Sequence, residues 1–238
     1  MPFANQVLLD QPGVILFAVQ DLTAANHRHH ALQLNIERGF ENNTAKVTWV
    51  RSDLDHKLTL NKGLVVLLDP ETVLAEEWIS KFSHTPELMI SWPTGETPQS
   101  NWVNFKGCLK ELGLTDSLGQ YRQQDPRVVQ VLLRLQASLA NPNVYCEDSW
   151  RAVEVAKSVH LSESRFLHLF KAATGITWRG YLLWQRLLVS ISALVQEKSA
   201  TDAAQLGGFA DSAHLSRTFK DRFGLTIREA VTLFTKGQ

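Results

Sequence analysis

The 238-residue sequence predicts two domains, a small β-barrel followed by an all-α domain with two helix-turn-helix units. Three observations lead to this prediction: β-rich segments up to residue 68, a helical pattern repeated in the C-terminal half, and a difference in charge between the halves. Residues 1–120 carry 9 basic and 14 acidic side chains, whereas residues 121–238 carry 15 and 10. A basic half hints at a surface that faces nucleic acid, although two domains can also differ in charge by chance.

The composition excludes several classes of protein. Hydrophobic residues make up 44% and charged residues 20%, which is typical of a packed globular core. The two cysteines, Cys108 and Cys146, are too few for a disulfide framework or a four-cysteine metal site. No apolar run approaches the roughly 18 residues of a membrane span, and residues 1–6 lack the features of a signal peptide. We therefore expect a soluble cytoplasmic protein with no membrane partner.

The N-terminal half shows the pattern of strands followed by helices. Alternating or β-branched segments predict strands at residues 14–19, 32–36, 47–50, 56–60 and 64–68, and helical patterns follow at 72–82 and 101–112. The two helices either form a dimer interface or cover the open face of the barrel. We place the first domain at 1–115, a linker at 116–125 and the helical domain at 126–238.

The helical half contains an internal repeat. Residues 170–179 and 219–228 both read Phe-Lys-x-x-x-Gly-x-Thr-x-Arg, an offset of 49 residues. In each copy a capping residue (Ser162 or Asp211) precedes an apolar helical stripe, and a glycine (Gly175 or Gly224) ends it. A shorter helical pattern and a tight turn precede each copy. The repeat thus predicts two helix-turn-helix units, at about 148–175 and 198–224.

Residues 178–196 join the two units with a near-helical apolar pattern that contains no proline. A helix of this length spans roughly 28 Å. Successive major grooves on one face of B-DNA recur about every 34 Å. The connecting helix is therefore long enough to set the longer helices of both units into successive grooves.

Residues from about 125 to 234 resemble the DNA-binding domain of AraC/XylS-type transcription regulators. The resemblance is carried by Ala156, Leu161-Ser162, Phe170-Lys171, Gly175, Tyr181-Leu182, Arg186, Ala204, Gly208-Phe209, Asp211-Ser212, the run 215–220 and Gly224. Thr226-Ile227 departs from the usual Ser-Pro of the family. The resemblance implies a sequence-specific regulator of transcription and no enzymatic activity. Promoter DNA and a small-molecule effector are the implied partners, while a contact with RNA polymerase and a homodimer are left open.

The resemblance also indicates which side chains contact DNA. The face opposite the apolar stripe presents Ser164, Leu167, His168 and Lys171 in the first copy, and Ala213, Ser216, Arg217 and Lys220 in the second. Arg217 is the favoured base reader, since a guanidinium bonds two guanine acceptors at once. The two lysines are expected to position the backbone. A solvated helix face carries similar residues, so both interpretations stay open for the others. Arg186 is expected to brace the fold.

A second, weaker resemblance concerns the N-terminal histidines. His27-x-His29, with Gln33 beyond, is similar to the start of a cupin first motif, and His56 to the lone histidine of the second. The expected glycines are missing. We interpret His27, His29, Gln33 and His56 as candidate ligand-binding residues that line a pocket for a small molecule. Purely structural histidines and a metal site are the alternatives. No cofactor is expected, and metal is the less favoured choice.

Two other functions remain as alternatives. A cupin-type metalloenzyme would need a complete set of metal ligands and would leave the 49-residue repeat unexplained. An interaction protein whose helix-turn-helix units have lost DNA binding would show little dependence on salt, because phosphate contacts make DNA binding fall steeply as salt rises.

Overall fold

The computed structural model describes residues 7–11, 13–38, 43–92, 98–114, 117–122, 125–140 and 150–235. The N-terminal half contains β1 (Val7–Gln11), β2 (Val14–His27), β3 (Leu32–Arg38), β4 (Thr44–Val50), β5 (His56–Leu68), α1 (Val73–Phe82), β6 (Glu87–Ser91) and α2 (Pro98–Glu111). The C-terminal half contains α3 (Pro126–Ala140), α4 (Ala152–Ser158), α5 (Glu163–Thr174), α6 (Trp178–Val195), α7 (Ala200–Leu206), α8 (Ser212–Phe223) and α9 (Ile227–Thr235). The predicted order, a β domain followed by an all-α domain, is confirmed, and the β part that was predicted as a small barrel is an antiparallel sheet region. Cys146 lies outside the described residues.

The strands form one six-stranded sheet in the order β1-β2-β5-β3-β4-β6, and every pairing is antiparallel. The long strands β2 and β5 lie next to each other, so that Val14 pairs with Leu68 at one end and His27 with His56 at the other. The register shifts between Ala24 and His27. An irregularity of this kind re-aims side chains at the end of a strand.

Strand β5 corrects one detail of the predicted pattern. The segments 56–60 and 64–68, predicted separately, belong to one continuous strand that passes through Gly63. Gly63 pairs with Val19 on one side and Glu37 on the other. A Cβ at this position would lie 2.0 Å from the Ile36 carbonyl oxygen, so the glycine allows a close backbone approach rather than ending the strand.

The helices α1 and α2 pack their apolar sides into the core of the sheet region. Trp78 of α1 and Phe105 of α2 are 2% and 1% exposed, and both belong to the same hydrophobic cluster as the strand residues Leu34 and Val66. Thr72 begins α1, because its hydroxyl oxygen accepts from the Ala75 N–H at 3.3 Å. These contacts support the interpretation that the two helices cover the sheet.

A buried ion pair lies beside this core. His30 Nε2 is 2.7 Å from Glu71 Oε1, and the two side chains are 4% and 0% exposed. Asp53 Oδ2 lies 3.8 Å from His30 Nδ1. Burial alone lowers the pKa of His30, but the two carboxylates, together with Asp69, outweigh it and raise the pKa to about 10. The histidine is therefore protonated at neutral pH and balances the charge of Glu71.

Contacts divide the chain into two units. The N-terminal unit comprises Met1–Gln120 together with Ser216–Gln238, and the helical unit comprises Tyr121–Leu215. The predicted boundaries at 115 and 126 remain predictions. The helical unit has its own core, in which α3, α4, α5 and α6 surround Trp178. None of the described helices combines the length and the hydropathy that crossing a bilayer requires.

Candidate functional site

The first helix-turn-helix is formed by α4, the turn at 159–161 and α5. Ser162 begins α5, and its hydroxyl oxygen accepts from the Arg165 N–H at 3.4 Å. Gly175 ends the helix in the left-handed conformation, with φ of 78°, and its N–H donates to the Lys171 carbonyl at 2.8 Å. Both ends of α5 thus lie where the capping residues predict them.

The predicted contact residues of α5 lie on its outer side, but they differ in exposure. Ser164, His168 and Lys171 are exposed. Leu167 is half-buried and packs against the core that contains Trp178. Packing against this core accounts for the position of Leu167, and its contact with DNA remains a prediction.

The second helix-turn-helix is formed by α7, the turn at 207–210 and α8. Asp211 caps α8, because its Oδ1 accepts from the His214 N–H at 2.6 Å. On the outer side of α8, Ala213, Arg217 and Lys220 are exposed and Ser216 is half-buried. The four candidates therefore lie along one accessible side of the helix.

Arg186 holds the turn of the second helix-turn-helix to α6. Its Nε donates to the Gly207 carbonyl at 2.8 Å, and its Nη2 donates to the Gly208 carbonyl. The guanidinium also lies 5.0 Å from the centre of the Phe209 ring. These contacts support the expected bracing role of Arg186. Close packing at the turn depends on Gly207, where a Cβ would lie 2.1 Å from Ser190 Oγ.

The helical unit contains a groove that the sequence did not predict. The groove has a volume of about 940 Å³ and borders the outer side of α5, where it is lined by Leu167, His168 and Lys171. Three further basic residues line it: Arg151 at the start of α4, and Arg179 and Arg186 on α6. Arg151 and Arg179 are exposed. The charge at this surface therefore extends beyond the side chains of α5, because residues distant in sequence contribute to it.

The N-terminal unit brings three of the predicted ligand-binding histidines together. His27 is the last residue of β2, His29 follows it outside the strand, and His56 begins β5. The ring centres of His27 and His56 lie 4.1 Å apart, and that of His29 lies 5.5 and 5.1 Å from them. Burial lowers the pKa of His27, and it lowers the pKa of His29 to about 4. Burial therefore favours the neutral form of both rings.

Gln33 completes this cluster. Its amide oxygen lies 2.9 Å from His29 Nε2 and 3.3 Å from His56 Nε2. Its amide nitrogen donates to Asn35 Oδ1 at 2.8 Å, and Asn35 Nδ2 donates in turn to Thr48 Oγ1 at 3.4 Å. All four candidates that the sequence singled out are thus neighbours. The sequence analysis did not predict the supporting residues Asn35 and Thr48, whose contacts depend on strand register.

Comparison with known proteins identifies a segment of the helical half of the chain. Residues 155–232 match the family model of a helix-turn-helix domain. This segment is an AraC-type helix-turn-helix domain. It contains the whole of α5, α6, α7 and α8, with all eight predicted DNA contacts.

Two curated relatives match part of the chain. The HTH-type transcriptional regulator YidL of Escherichia coli, itself uncharacterised, is 31% identical over 107 residues, which are 44% of this chain and 34% of the relative. The transcriptional activator RhrA of Rhizobium meliloti is 28% identical over 102 residues, 42% of this chain and 30% of the relative. The matched part thus spans about a third of the length of each relative.

Solved structures extend the likeness from the AraC-type domain to nearly the whole chain. A structure of an apo variant of ToxT from Vibrio cholerae covers 94% of this chain and all of that chain, with a TM-score of 0.54 and 13% identity. A second ToxT structure, described as bound to an unsaturated fatty acid, covers the whole of this chain and 99% of that chain, with a TM-score of 0.52 and 11% identity. The likeness is one of fold, and it confirms the predicted order of a β-rich region and a helical region.

Proposed function

We propose that the chain is a sequence-specific DNA-binding transcription regulator that reads two successive major grooves. Its N-terminal domain would control it, through a small molecule or through dimerisation. The observation that carries the proposal is the presence of two capped helix-turn-helix units within one AraC-type domain. A homodimer and a contact with RNA polymerase are further parts of the same proposal.

The connecting helix supports the proposed geometry. Helix α6 has 18 residues, which corresponds to about 27 Å. Its first turn is capped by Thr177, whose hydroxyl oxygen accepts from the Gly180 N–H at 3.2 Å. This length is of the same order as the repeat of about 34 Å between grooves on one face of B-DNA, and α6 joins the two helix-turn-helix units in sequence.

The exposed side chains support a division of tasks at the DNA. We assign base contacts to Arg217 and His168, which are exposed on α8 and α5. Ser164, Ala213, Ser216 and Leu167 complete the surface that faces the base edges. Lys171 and Lys220 contact phosphates and fix the orientation. Arg151 and Arg179, at the groove beside α5, add positive charge for the backbone.

Two features support the proposal that the N-terminal domain controls DNA binding: the fold and the histidine cluster. One of the structures with a similar fold is described as holding an unsaturated fatty acid. We propose by analogy that the N-terminal domain of this chain also receives an effector. His27, His29, Gln33 and His56 are the polar side chains that we assign to it.

Selection of bound sequences from a random duplex library tests the DNA-binding function. The wild type is expected to select two conserved blocks about one helical turn apart. Replacing Arg217 with alanine should erase the preference in one block only, because the guanidinium discriminates its base by about 1–3 kcal/mol. Arg51→Ala is the matched control, since it removes an exposed arginine of the β-rich region and should leave both blocks unchanged.

Two results would contradict the proposal. The first is that the wild type enriches no sequence over the starting library at low salt. This result would have to hold both without additives and with extracts that supply small-molecule effectors. The second is a DNA affinity that does not fall as salt rises, because each phosphate contact makes binding salt-dependent. Loss of both blocks in Arg217→Ala would instead contradict the assignment of Arg217 to a single groove.

A further inference from the structure

We propose that His27, His29 and His56, together with the amide oxygen of Gln33, bind a divalent transition-metal ion. The three histidines each offer a ring nitrogen, and these atoms all lie within 4.8 Å of one another. Among the described residues, this is the one group of three such side chains that is close enough to share an ion. From the sequence alone, metal was the less favoured interpretation of these residues, and the geometry of the cluster favours it.

The backbone selects the ring nitrogen that each histidine can offer. In all three rings Nδ1 lies at hydrogen-bond distance from a carbonyl oxygen two residues away, at 2.8 Å from Ala25, 3.1 Å from Ala31 and 2.9 Å from Leu54. A neutral ring that donates from Nδ1 carries its lone pair on Nε2. This second hydrogen bond is the usual support of metal-binding histidines, because it fixes both the tautomer and the ring orientation.

The position of Gln33 marks where the ion would lie. Its amide oxygen is 2.9 Å from His29 Nε2 and 3.3 Å from His56 Nε2. Ligand atoms about 2.0–2.1 Å from one ion are separated by about 2.9–3.4 Å in octahedral or tetrahedral geometry. The two separations from the Gln33 oxygen fall within that range. The hydrogen bond from the Gln33 amide nitrogen to Asn35 keeps the oxygen directed at the rings.

The donor set indicates the class of ion. Three imidazoles and one amide oxygen suit zinc, iron, nickel or copper rather than calcium or magnesium, which prefer oxygen ligands. All four ligands are neutral, so the ion keeps its double charge. Its remaining coordination positions would take water or an anionic group of an effector. His56 is half-buried whereas His27 and His29 are buried, so solvent reaches the cluster from the side of His56.

The cluster also contacts the end of α8 within the N-terminal unit. The Ala25 N–H donates to the Gly224 carbonyl at 3.0 Å, and the Ala25 carbonyl lies beside His27 Nδ1. A Cβ at Gly224 would lie 2.9 Å from His27 Nδ1. An ion that fixes His27 therefore also fixes the residue that ends α8. This step rests on the proposed DNA-binding function, and it predicts that the ion changes the affinity for DNA.

Titration calorimetry of the full chain with Zn²⁺, after chelator treatment and dialysis, tests the metal site without DNA. The wild type is expected to bind one ion per chain. His56→Ala and His29→Ala each remove one ligand and should weaken binding by about 100-fold. Gln33→Glu should strengthen it, because a carboxylate replaces a neutral oxygen. His84→Ala is the matched control, since it removes an exposed histidine outside the cluster.

Spectra distinguish a direct ligand from a structural effect. Co²⁺ in place of Zn²⁺ should give visible absorption bands of a site with nitrogen ligands in the wild type and in His84→Ala, and these bands should be lost in His56→Ala. Circular dichroism confirms that each variant is folded. The metal site is refuted if the folded wild type binds no stoichiometric ion, or if His56→Ala and His29→Ala bind as tightly as His84→Ala.

The effect on DNA is measured separately, with a duplex that the wild type has selected. Added Zn²⁺ should change the dissociation constant by about fivefold or more in the wild type. It should leave His56→Ala unchanged. If the ion binds but the affinity for DNA is the same, the metal site stands and its coupling to α8 is wrong. If no duplex is selected at all, the proposed function fails, and the calorimetry still decides the metal site.

Discussion

Replacing His30 with alanine is expected to lower the free energy of unfolding by about 3–5 kcal/mol. The substitution leaves the Glu71 carboxylate, which is 0% exposed, without the cation that lies 2.7 Å away. An uncompensated buried charge is among the most costly defects in a folded protein. We expect the variant to unfold at a markedly lower urea concentration than the wild type.

A double-mutant cycle separates the ion pair from the packing of the two side chains. His30→Ala combined with Glu71→Ala should cost less than the sum of the two single substitutions, because the double variant buries no isolated charge. His84→Ala, which removes an exposed histidine, should change stability by less than about 0.5 kcal/mol. Additive effects of the two single substitutions would show that the pair contributes no interaction of its own.

The same pair predicts a dependence of stability on pH. The pKa of His30 is raised to about 10 in the folded chain, whereas an unfolded histidine titrates near about 6.5. The stabilisation is therefore fully present below pH 6.5 and is lost as the pH rises towards 10. The free energy of unfolding of the wild type should fall across this interval, and His30→Ala should flatten that part of the profile.

The elements that the sequence predicts well are those encoded by neighbouring residues. The limits of α5 follow from Ser162 and Gly175, whose capping contacts involve residues no more than four positions away. Helix α7, the shorter helix predicted before the second copy, begins for a similar reason, since Ser199 caps its first turn by accepting from the Asp202 N–H. The 49-residue repeat adds a second copy of the same local signals.

The contacts that escape prediction join residues far apart in sequence. His30 and Glu71 are 41 positions apart, and only the fold brings them within 2.7 Å. The histidine cluster is an intermediate case. Its members were identified from spacing, but His29 lies beyond the end of β2, and its position depends on a turn rather than on strand alternation. Basic residues at the groove beside α5, such as Arg179, meet that helix only through tertiary packing.

Replacing Trp178 with alanine is expected to destabilise the helical unit by about 3–5 kcal/mol. Trp178 is 1% exposed, and its ring centre lies 5.5 Å from that of Phe166 and 5.1 Å from that of Phe170. Its indole N–H also donates to the Trp150 carbonyl at 3.0 Å. Trp178→Phe is the matched control. It keeps an aromatic ring in the cavity and loses the hydrogen bond, so it should cost about 1–3 kcal/mol.

If each helix-turn-helix unit reads one groove, Trp178→Ala should also change which DNA sequences the protein selects. Trp178 anchors α5 through Phe166 and Phe170, whereas the turn before α8 is held by Arg186. Under conditions where Trp178→Ala is still folded, library selection should therefore lose the block read by α5 and keep the block read by α8. Arg217→Ala should show the opposite pattern. If both substitutions abolish the same block, the two helix-turn-helix units do not read DNA independently, and the assignment of one groove to each is wrong.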